Sequence, residues 1–384
     1  MIFNRYKMEE ALECIIDYRG KTPEKSDKGI MTLSAKSVRD GYIDYSQSYC
    51  ISEDEYKRFM VRGFPKVGDV LLTTEAPLGT TAILDRDDVA LAQRLLTLRG
   101  KANILDTRFL YYWLKSSIGQ GKLQERQTGT TVTGIKQAEF RKIDIDLPNI
   151  SIQRRIASIL SCLDRKIKLN KKINENLQEQ AQAIYNHMVI EEADDSWTSG
   201  VLSDIAIITM GQSPKGESYN EEGVGTVFFQ GRAEFGFRFP TRRLYTTDPK
   251  RMARANDALM SVRAPVGDMN VAYEDCCIGR GLCAIRTKNY HQSFVLYTML
   301  ALREQLNVFN GEGTVFGSIN RDALNSLPIA IPPKDVMDQF EEIVSPMDAA
   351  IRNNYDEICR LQTLRDSLLP RLMSGELDVS DLNL

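Results

Sequence analysis

Two long stretches of the chain carry apolar residues at alternating steps of four and three. The first runs through Ile156, Leu160, Leu163, Ile167, Leu177, Ala181, Ile184 and Met188, with Asn170 and Asn174 at its middle steps. The second runs through Phe340, Val344, Met347, Ile351, Asn354, Ile358, Leu361, Arg365, Leu368 and Leu372. On a helix such steps fall along one narrow seam, which is the pattern of a coiled coil. The spacing predicts two helices of roughly 35–39 residues, each about 55 Å long at ~1.5 Å per residue. Pro346 is expected to kink the second helix or delay its start. Asparagine on a seam fixes register at some cost in stability. Asn170 and Asn354 occupy equivalent steps and are expected to meet, or nearly so, where the helices cross.

Outside these stretches the pattern changes to short alternating or fully apolar runs. Asp69–Thr73, Thr81–Leu84, Leu95–Leu98, Val227–Gln230 and Leu282–Ile285 read as strands, and Thr107–Ser117 and His291–Val308 as helices. These runs recur in order. Gly68-Asp69-Val70-Leu71-Leu72-Thr73-Thr74-Glu75-Ala76-Pro77-Leu78-Gly79 returns as Asn256-Asp257-Ala258-Leu259-Met260-Ser261-Val262-Arg263-Ala264-Pro265-Val266-Gly267. The loop Gly129-Thr130-Thr131-Val132-Thr133-Gly134-Ile135 returns as Gly313-Thr314-Val315-Phe316-Gly317-Ser318-Ile319, each before an apolar strand that ends in proline. Weaker echoes keep the same order: Tyr18 to Pro23 answers Met210 to Pro214, and Phe109 to Leu114 answers Phe294 to Leu300. A chain repeated in this way has one fold twice.

The fold class expected is therefore α/β (α+β): two globular domains in tandem repeat, separated by two long antiparallel coiled-coil helices, with pseudo-two-fold symmetry. The expected boundaries are a first domain at 1–148, a central helix at 149–192, a second domain at 193–333, a C-terminal helix at 334–375 and a tail at 376–384. The antiparallel sense follows from connectivity. A domain of about 138 residues has a radius of gyration near 14 Å, too small to return the chain along the whole first helix. Charge favours the opposite sense, because the first half of the first helix is basic and the start of the second is acidic. Exposed ion pairs contribute only ~0–1 kcal/mol each, so connectivity decides. Two related domains held tens of ångströms apart suit a ligand with a long repeat of its own, and duplex DNA recurs every ~34–36 Å on one face.

Composition changes this picture little. The net charge is −3, but about −6 of it lies in residues 334–384, against about +2 in 1–150 and +1 in 196–333. Both globular parts can therefore approach a polyanion. No apolar run reaches the ~20 residues needed to cross a bilayer, and the N-terminus lacks the core of a signal peptide. The 7 Cys form no C-x-x-C pair, which fits reduced thiols in the cytoplasm. Cys276, Cys277 and Cys283 read as buried strand residues, and His187 and His291 as structural or solvent-facing, so no metal site is expected. There is no G-x-x-x-x-G-K-[ST] loop, no adenine-methyltransferase tetrad, and no catalytic residue is assigned.

Reading DNA takes Arg, Lys, Asn or Gln at base edges and hydroxyls at phosphates. In the first domain the candidates are Arg19, Lys21, Thr22, Lys25, Lys36 and Arg39, with Ser37 beside them. Thr128, Thr130, Thr131, Thr133 and Lys136 join them around the glycine loop. In the second they are Gln212, Ser213, Lys215, Gln230, Arg232, Thr314, Ser318 and Arg321. Arg238, Arg242, Arg243, Arg251 and Arg254 alternate with Phe235, Phe237, Phe239 and Tyr245 in the densest basic stretch, readable as a DNA face or as a half-buried strand with solvated arginines.

The duplicated order of Asp69…Ala76-Pro77…Gly79, the Gly129-Thr130-Thr131…Gly134-Ile135 loop and the Pro148…Ile152-Gln153 helix entry resembles type I restriction-modification specificity subunits. So does the ending Leu368-Leu369-Pro370-Arg371-Leu372-Met373-Ser374-Gly375-Glu376-Leu377. The resemblance spans essentially the whole chain. It implies two target-recognition domains that each bind one half of a bipartite site in double-stranded DNA. It further implies long helices that set the half-site spacing and dock two methyltransferase subunits, with restriction and translocation subunits joining for cleavage. S-adenosylmethionine would belong to the methyltransferase partner, and no cofactor to this chain. Three rivals stand beside this reading: a specificity subunit for another restriction class with a combined methylase-nuclease partner, a stand-alone nuclease or methyltransferase, and a coiled-coil scaffold.

Overall fold

The structure is a computed structural model that describes residues 2–18, 20–129, 133–194, 197–311 and 317–380. The chain divides into two compact units. One comprises Met1–Leu169 with Glu357–Leu384, and the other Asn170–Asp356. The division falls inside both long helices, so each unit contains one globular domain and half of each helix.

In the first unit a four-stranded antiparallel sheet is ordered Leu12–Asp17, Leu95–Gly100, Val70–Thr73, Thr81–Ile83. Val70–Thr73 is buried along its whole length, as expected of a sheet covered on both faces. On one face lies the helix Thr107–Lys115. Asp106 caps it by accepting from the Arg108 and Phe109 amides, which satisfies orphan donors of the first turn. Phe109 to Leu114 are all buried there, in one core with Ile156 and Leu160 of the first long helix and Leu372 of the second. A separate core on the other face includes a second sheet, ordered Tyr49–Ile51, Ile30–Leu33, Val89–Leu91, the last two strands being parallel. The pair Asn4–Lys7 and Asp144–Leu147 joins the start of the chain to the strand before the long helix.

The second unit repeats the plan. Its sheet is ordered Ala206–Met210, Leu282–Thr287, Ala258–Ser261, Met269–Val271, and the helix Gln292–Ala301 covers it. Thr198–Val201 pairs with Pro328–Ile331. The second sheet grows to five strands, with Thr226–Phe229 parallel to Cys276–Ile278. The strands and helices read from the sequence recur within a few residues. The stretch read as one helix, His291–Val308, instead breaks after Ala301 into a short helix Arg303–Leu306 and a 3₁₀ turn.

The first long helix spans Ile150–Tyr185 and continues as a wider turn over Asn186–Glu191. The second spans Lys334–Ser374 without interruption. Pro346 therefore does not delay its start. Pro346 and Pro370 are both exposed, so the carbonyl each leaves free one turn earlier can be solvated. The helices pair antiparallel within each unit. Asp164 meets Arg365 while Arg155 reaches the Val379 carbonyl in the first. Tyr185 packs on Phe340 while Asn174 reaches the Ile351 carbonyl in the second. Seam residues Ile156, Leu160, Ile167, Asn170, Ile351 and Ile358 are buried, and Leu163, Leu177, Ile184, Met347, Asn354, Leu361 and Leu368 half-buried. The partner of Asn354 is Asn174 at 2.8 Å, one turn beyond Asn170.

Candidate nucleic-acid interface

Each sheet ends in a tight turn around a cis-proline. In the first unit the Ala76–Pro77 bond is cis and Ala76 has φ 51. Thr73 organises this turn: its hydroxyl donates to the Pro77 carbonyl at 2.6 Å and accepts from the Thr80 amide at 2.9 Å. The Gly79 amide returns to the Thr73 carbonyl. The threonine-glycine loop docks on this turn through the Ile135 amide, which donates to the Thr74 carbonyl at 2.9 Å. Thr128 and Gly134 exchange backbone hydrogen bonds at 2.7 and 3.0 Å and so close the loop's base.

Strand register gathers other candidates at this same end of the sheet. Leu95 pairs with Thr73 and Leu96 with Asp17, so the segment after Asp17 emerges beside the turn. There Gln93 hydrogen-bonds the Thr22 hydroxyl, and Lys21 is exposed. The Ala92 amide donates to the Leu33 carbonyl, which brings the short turn Ala35–Ser37, with exposed Lys36, alongside. Ser37 is buried and hydrogen-bonded to the Ser34 amide. The Gly41 amide donates to the Thr81 carbonyl and carries Arg39 to the neighbouring strand start, ion-paired to Asp44 at 3.5 Å. Lys136 precedes the helix Gln137–Arg141 and is exposed, as are Thr128 and Thr133. Lys25 is engaged over the Tyr49 ring at 4.9 Å. Arg19, Thr130, Thr131 and Thr314 lie outside the described residues.

The second unit builds an equivalent end. Ala264–Pro265 is cis, and Ser261 takes the place of Thr73, donating to the Arg263 carbonyl at 2.8 Å. The Ala264 amide reaches the Gly317 carbonyl, and the Ile319 amide the Val262 carbonyl. Ser318 thereby stands beside Arg263. The Gln212 amide donates to Ile278, the Arg280 amide to the Ser213 hydroxyl, and the Gly281 amide to the Gln230 carbonyl. Arg232 follows, paired with Asp268 at 2.7 Å. Lys215, just before the 3₁₀ turn Gly216–Ser218, and Arg321, which opens the helix Arg321–Asn325, are both exposed. Arg263 and Arg280 were missed by sequence reasoning, although the repeat alone places Arg263 directly before Ala264-Pro265.

The dense arginine stretch is not one face. Arg238 is only 6 % exposed, and its guanidinium donates to the Tyr297 hydroxyl at 2.8 Å and to Asp348 at 3.0 Å. Contrary to the expectation from sequence, it cannot reach DNA: folding turns it inward, where a desolvated charge needs these partners. Arg242 pairs with Glu274 at 2.5 Å, and Arg243 with Glu234 at 2.6 Å. Arg251 and Arg254 are exposed, and the Arg254 backbone instead serves Asp257.

Cys276, Cys277 and Cys283 are buried in strands. Burial pushes the Cys276 and Cys283 thiols up to about 12, far from the thiolate that nucleophiles and metal ligands use. His291 is buried against Asp338 at 2.7 Å, and exposed His187 faces Glu191. Among the described residues no three His, Cys, Asp or Glu side chains converge as a metal site, and no helix is long and apolar enough to cross a membrane.

Known proteins place this architecture. The chain is 28 % identical to the MjaX specificity subunit assigned to a type I restriction enzyme of Methanocaldococcus jannaschii, over 97 % of this chain and 93 % of that one. It is 25 % identical to the type I restriction enzyme MjaIX specificity subunit of the same organism, covering 86 % and 82 %. In fold it resembles the type I restriction-modification S subunit of M. genitalium, with a TM-score of 0.65 at 16 % identity over 96 % of each chain. Residues 24–179 and 194–360 each match the type I restriction modification DNA specificity domain, and the chain belongs to that family, as a type I restriction-modification specificity subunit.

Proposed function

We propose that this chain selects the DNA sequence on which a type I restriction-modification complex acts, each globular domain binding one half of a bipartite target. The observation that carries the reading is the duplicated sheet end. In both units a cis-proline turn is pinned to a glycine loop and ringed by exposed hydroxyls, amides and cations. That is the side-chain set that holds phosphates and reads base edges. Residues 1–148 and 193–333 serve as the recognition domains. The helices at 149–192 and 334–375 set the gap between half-sites and dock two methyltransferase subunits, and restriction subunits join for cleavage. The chain itself is non-catalytic and works in the cytoplasm, the S-adenosylmethionine being held by the methyltransferase partner.

The contacts proposed are Lys21, Thr22, Lys36, Arg39, Thr128, Thr133 and Lys136 in the first domain. In the second they are Gln212, Ser213, Lys215, Gln230, Arg232, Ser318 and Arg321. Replacing Lys21 or Lys36 by alanine is expected to weaken binding evenly across sequences and to lower the salt slope by about one. The decisive experiment sequences N6-methyladenine in a host expressing this chain with its methyltransferase, and in the same host lacking this chain alone. A split motif with a fixed gap, methylated only when the chain is present, is the expected result. Unchanged methylation would leave the scaffold reading in its place.

A further inference from the structure

The two sheet ends share a backbone but carry opposite chemistry at three matched positions. In the first unit Glu75 precedes the cis-proline pair and is held by Arg94 at 2.7 Å. The Arg94 carbonyl receives the Thr74 amide at 3.0 Å, and its neighbour Gln93 is engaged by Thr22. In the second unit the carbonyl that receives the Val262 amide belongs to Gly281. A side chain is excluded there, because a Cβ would lie 2.8 Å from the Gln230 carbonyl oxygen. Arg263 stands where Glu75 stood, and Arg280 where Gln93 stood. Both are exposed, and neither has a carboxylate within ion-pair reach among the described residues. The three positions thus sum to no net charge in the first unit and to two positive charges in the second.

We propose that Arg263 reads a guanine in the half-site bound by the second domain. This refines the DNA-selecting role proposed above and rests on it. Guanine alone presents two acceptors, O6 and N7, on its major-groove edge, and they match the fork of a guanidinium. A base reader must also be held in place. Arg263 is flanked by the Val262 and Ala264 amides, both hydrogen-bonded, and its own carbonyl accepts from Ser261. Glu75, tied to Arg94, cannot do the same in the first domain, so the two half-sites differ in kind at this step.

The test selects binders from a pool of randomised duplexes with the purified chain and with the variants Arg263→Gln and Arg280→Gln. The wild-type chain is expected to enrich a bipartite motif containing a guanine that Arg263→Gln specifically relaxes. Preference for that guanine should fall about ten- to hundredfold and adenine should rise, since an amide pairs with adenine. The other half-site should be unchanged, and Arg280→Gln should retain the guanine, which separates base reading from loss of charge. Equal weakening across all sequences with an unaltered motif would make Arg263 a phosphate contact and overturn the assignment. An unaltered motif with unaltered affinity would overturn it as well. If the wild-type chain enriched no motif, the DNA-selecting role itself would fail, and this assignment with it.

Discussion

Both units fasten their globular domain to a long helix through an aspartate, yet they find the cation in different places. In the first, Asp164 accepts from the Tyr112 hydroxyl at 2.8 Å and from Arg365 at 2.8 Å. In the second, the matching Asp348 accepts from the matching Tyr297 at 3.1 Å, but the guanidinium is that of Arg238, from a loop of the domain itself. The seam step equivalent to Arg365 is Ala181 on the other helix, fully buried. That step therefore supplies no cation in the second unit, and Arg238 supplies it instead. The repeat has thus kept the acceptor and the tyrosine and changed the source of the charge. The first domain receives its clamp from the scaffold, whereas the second brings its own. At the other end of each sheet, just before the strands Val70–Thr73 and Ala258–Ser261, a matching ion pair is kept. Asp69 holds Arg99 through two 2.7 Å contacts, and Asp257 holds Arg286 through two of the same length.

The largest effects are expected where the units agree. Arg99→Ala leaves Asp69, whose side chain is 3 % exposed, as a buried carboxylate without its cation, and should cost about 3 kcal/mol. Arg286→Ala should cost about 2 kcal/mol in the second unit, because Arg286 is more exposed and water can reach the site. Each unit carries one of the 2 tryptophans, Trp113 and Trp197. Replacing one with phenylalanine leaves the other as a reporter for urea unfolding of its own unit. Equal losses under both reporters from a single variant would show that the units do not unfold separately.

The clamps come next, and here the units should diverge. Arg238→Ala removes a buried guanidinium that also lies over the Tyr297 ring at 5.6 Å, and about 2 kcal/mol is expected from the Trp113→Phe background. Arg365→Ala, at a half-buried site, should cost about 1 kcal/mol in the first unit. Adding Ala181→Arg to Arg238→Ala rebuilds in the second unit the clamp of the first. Partial recovery of stability is the expected outcome. Further loss would mean that Ala181 is held small by packing and that the two clamps are not interchangeable.

Much of this is legible in the sequence, and the reasons for the rest are physical. The seams could be read because coiled-coil periodicity is local, and strands such as Val70–Thr73 because an apolar run beside a turn has few other uses. The repeat gave both cis-proline turns their correspondence. Long-range pairing was hidden: nothing local announces that Thr226–Phe229 runs parallel to Cys276–Ile278. Arg238 misled because a run of arginines alternating with aromatics looks alike whether it faces water or a helix, and only its tertiary partner Asp348 decides. Arg263 is hidden for the converse reason: it stands alone in its stretch of sequence, and only the repeat and the fold set it beside the cis-proline turn. Asn174 replaced Asn170 as the partner of Asn354 because equivalent steps on antiparallel helices meet only at the exact symmetry point.

The smallest expected difference concerns the strand pair Asn4–Lys7 with Asp144–Leu147 and its counterpart Thr198–Val201 with Pro328–Ile331. In the first unit it is laced by two exposed ion pairs, Arg5 to Asp146 at 2.8 Å and Lys7 to Asp144 at 2.6 Å. The matching residues in the second, Ser199 and Ala330 among them, carry no charge. Hydrogen bonds from Lys7 and Arg5 hold the Asp144 and Asp146 carboxyls below the ordinary range. A carboxyl whose pKa is lower in the folded than in the unfolded state stabilises the fold at pH above its unfolded value. That contribution is lost as pH falls through the folded value. Acidification from about pH 6 toward pH 3 should therefore loosen Asn4–Lys7 more than Thr198–Val201, because the last amide of each strand meets a carboxylate, Glu10 or Asp204, but only the first strand carries cross-strand ion pairs. Amide exchange, corrected for the intrinsic rate at each pH, reads the two strands in one sample. Salt raised to about 1 M at pH 6 should reproduce a fraction of the same loosening, since the screening length there falls to about 3 Å, close to the contact distance of the pairs. Equal acid sensitivity in both strands would show that the ion pairs add nothing to the pairing and that the apolar contacts beneath, Ile145 in one unit and Ile329 in the other, hold both strands alike.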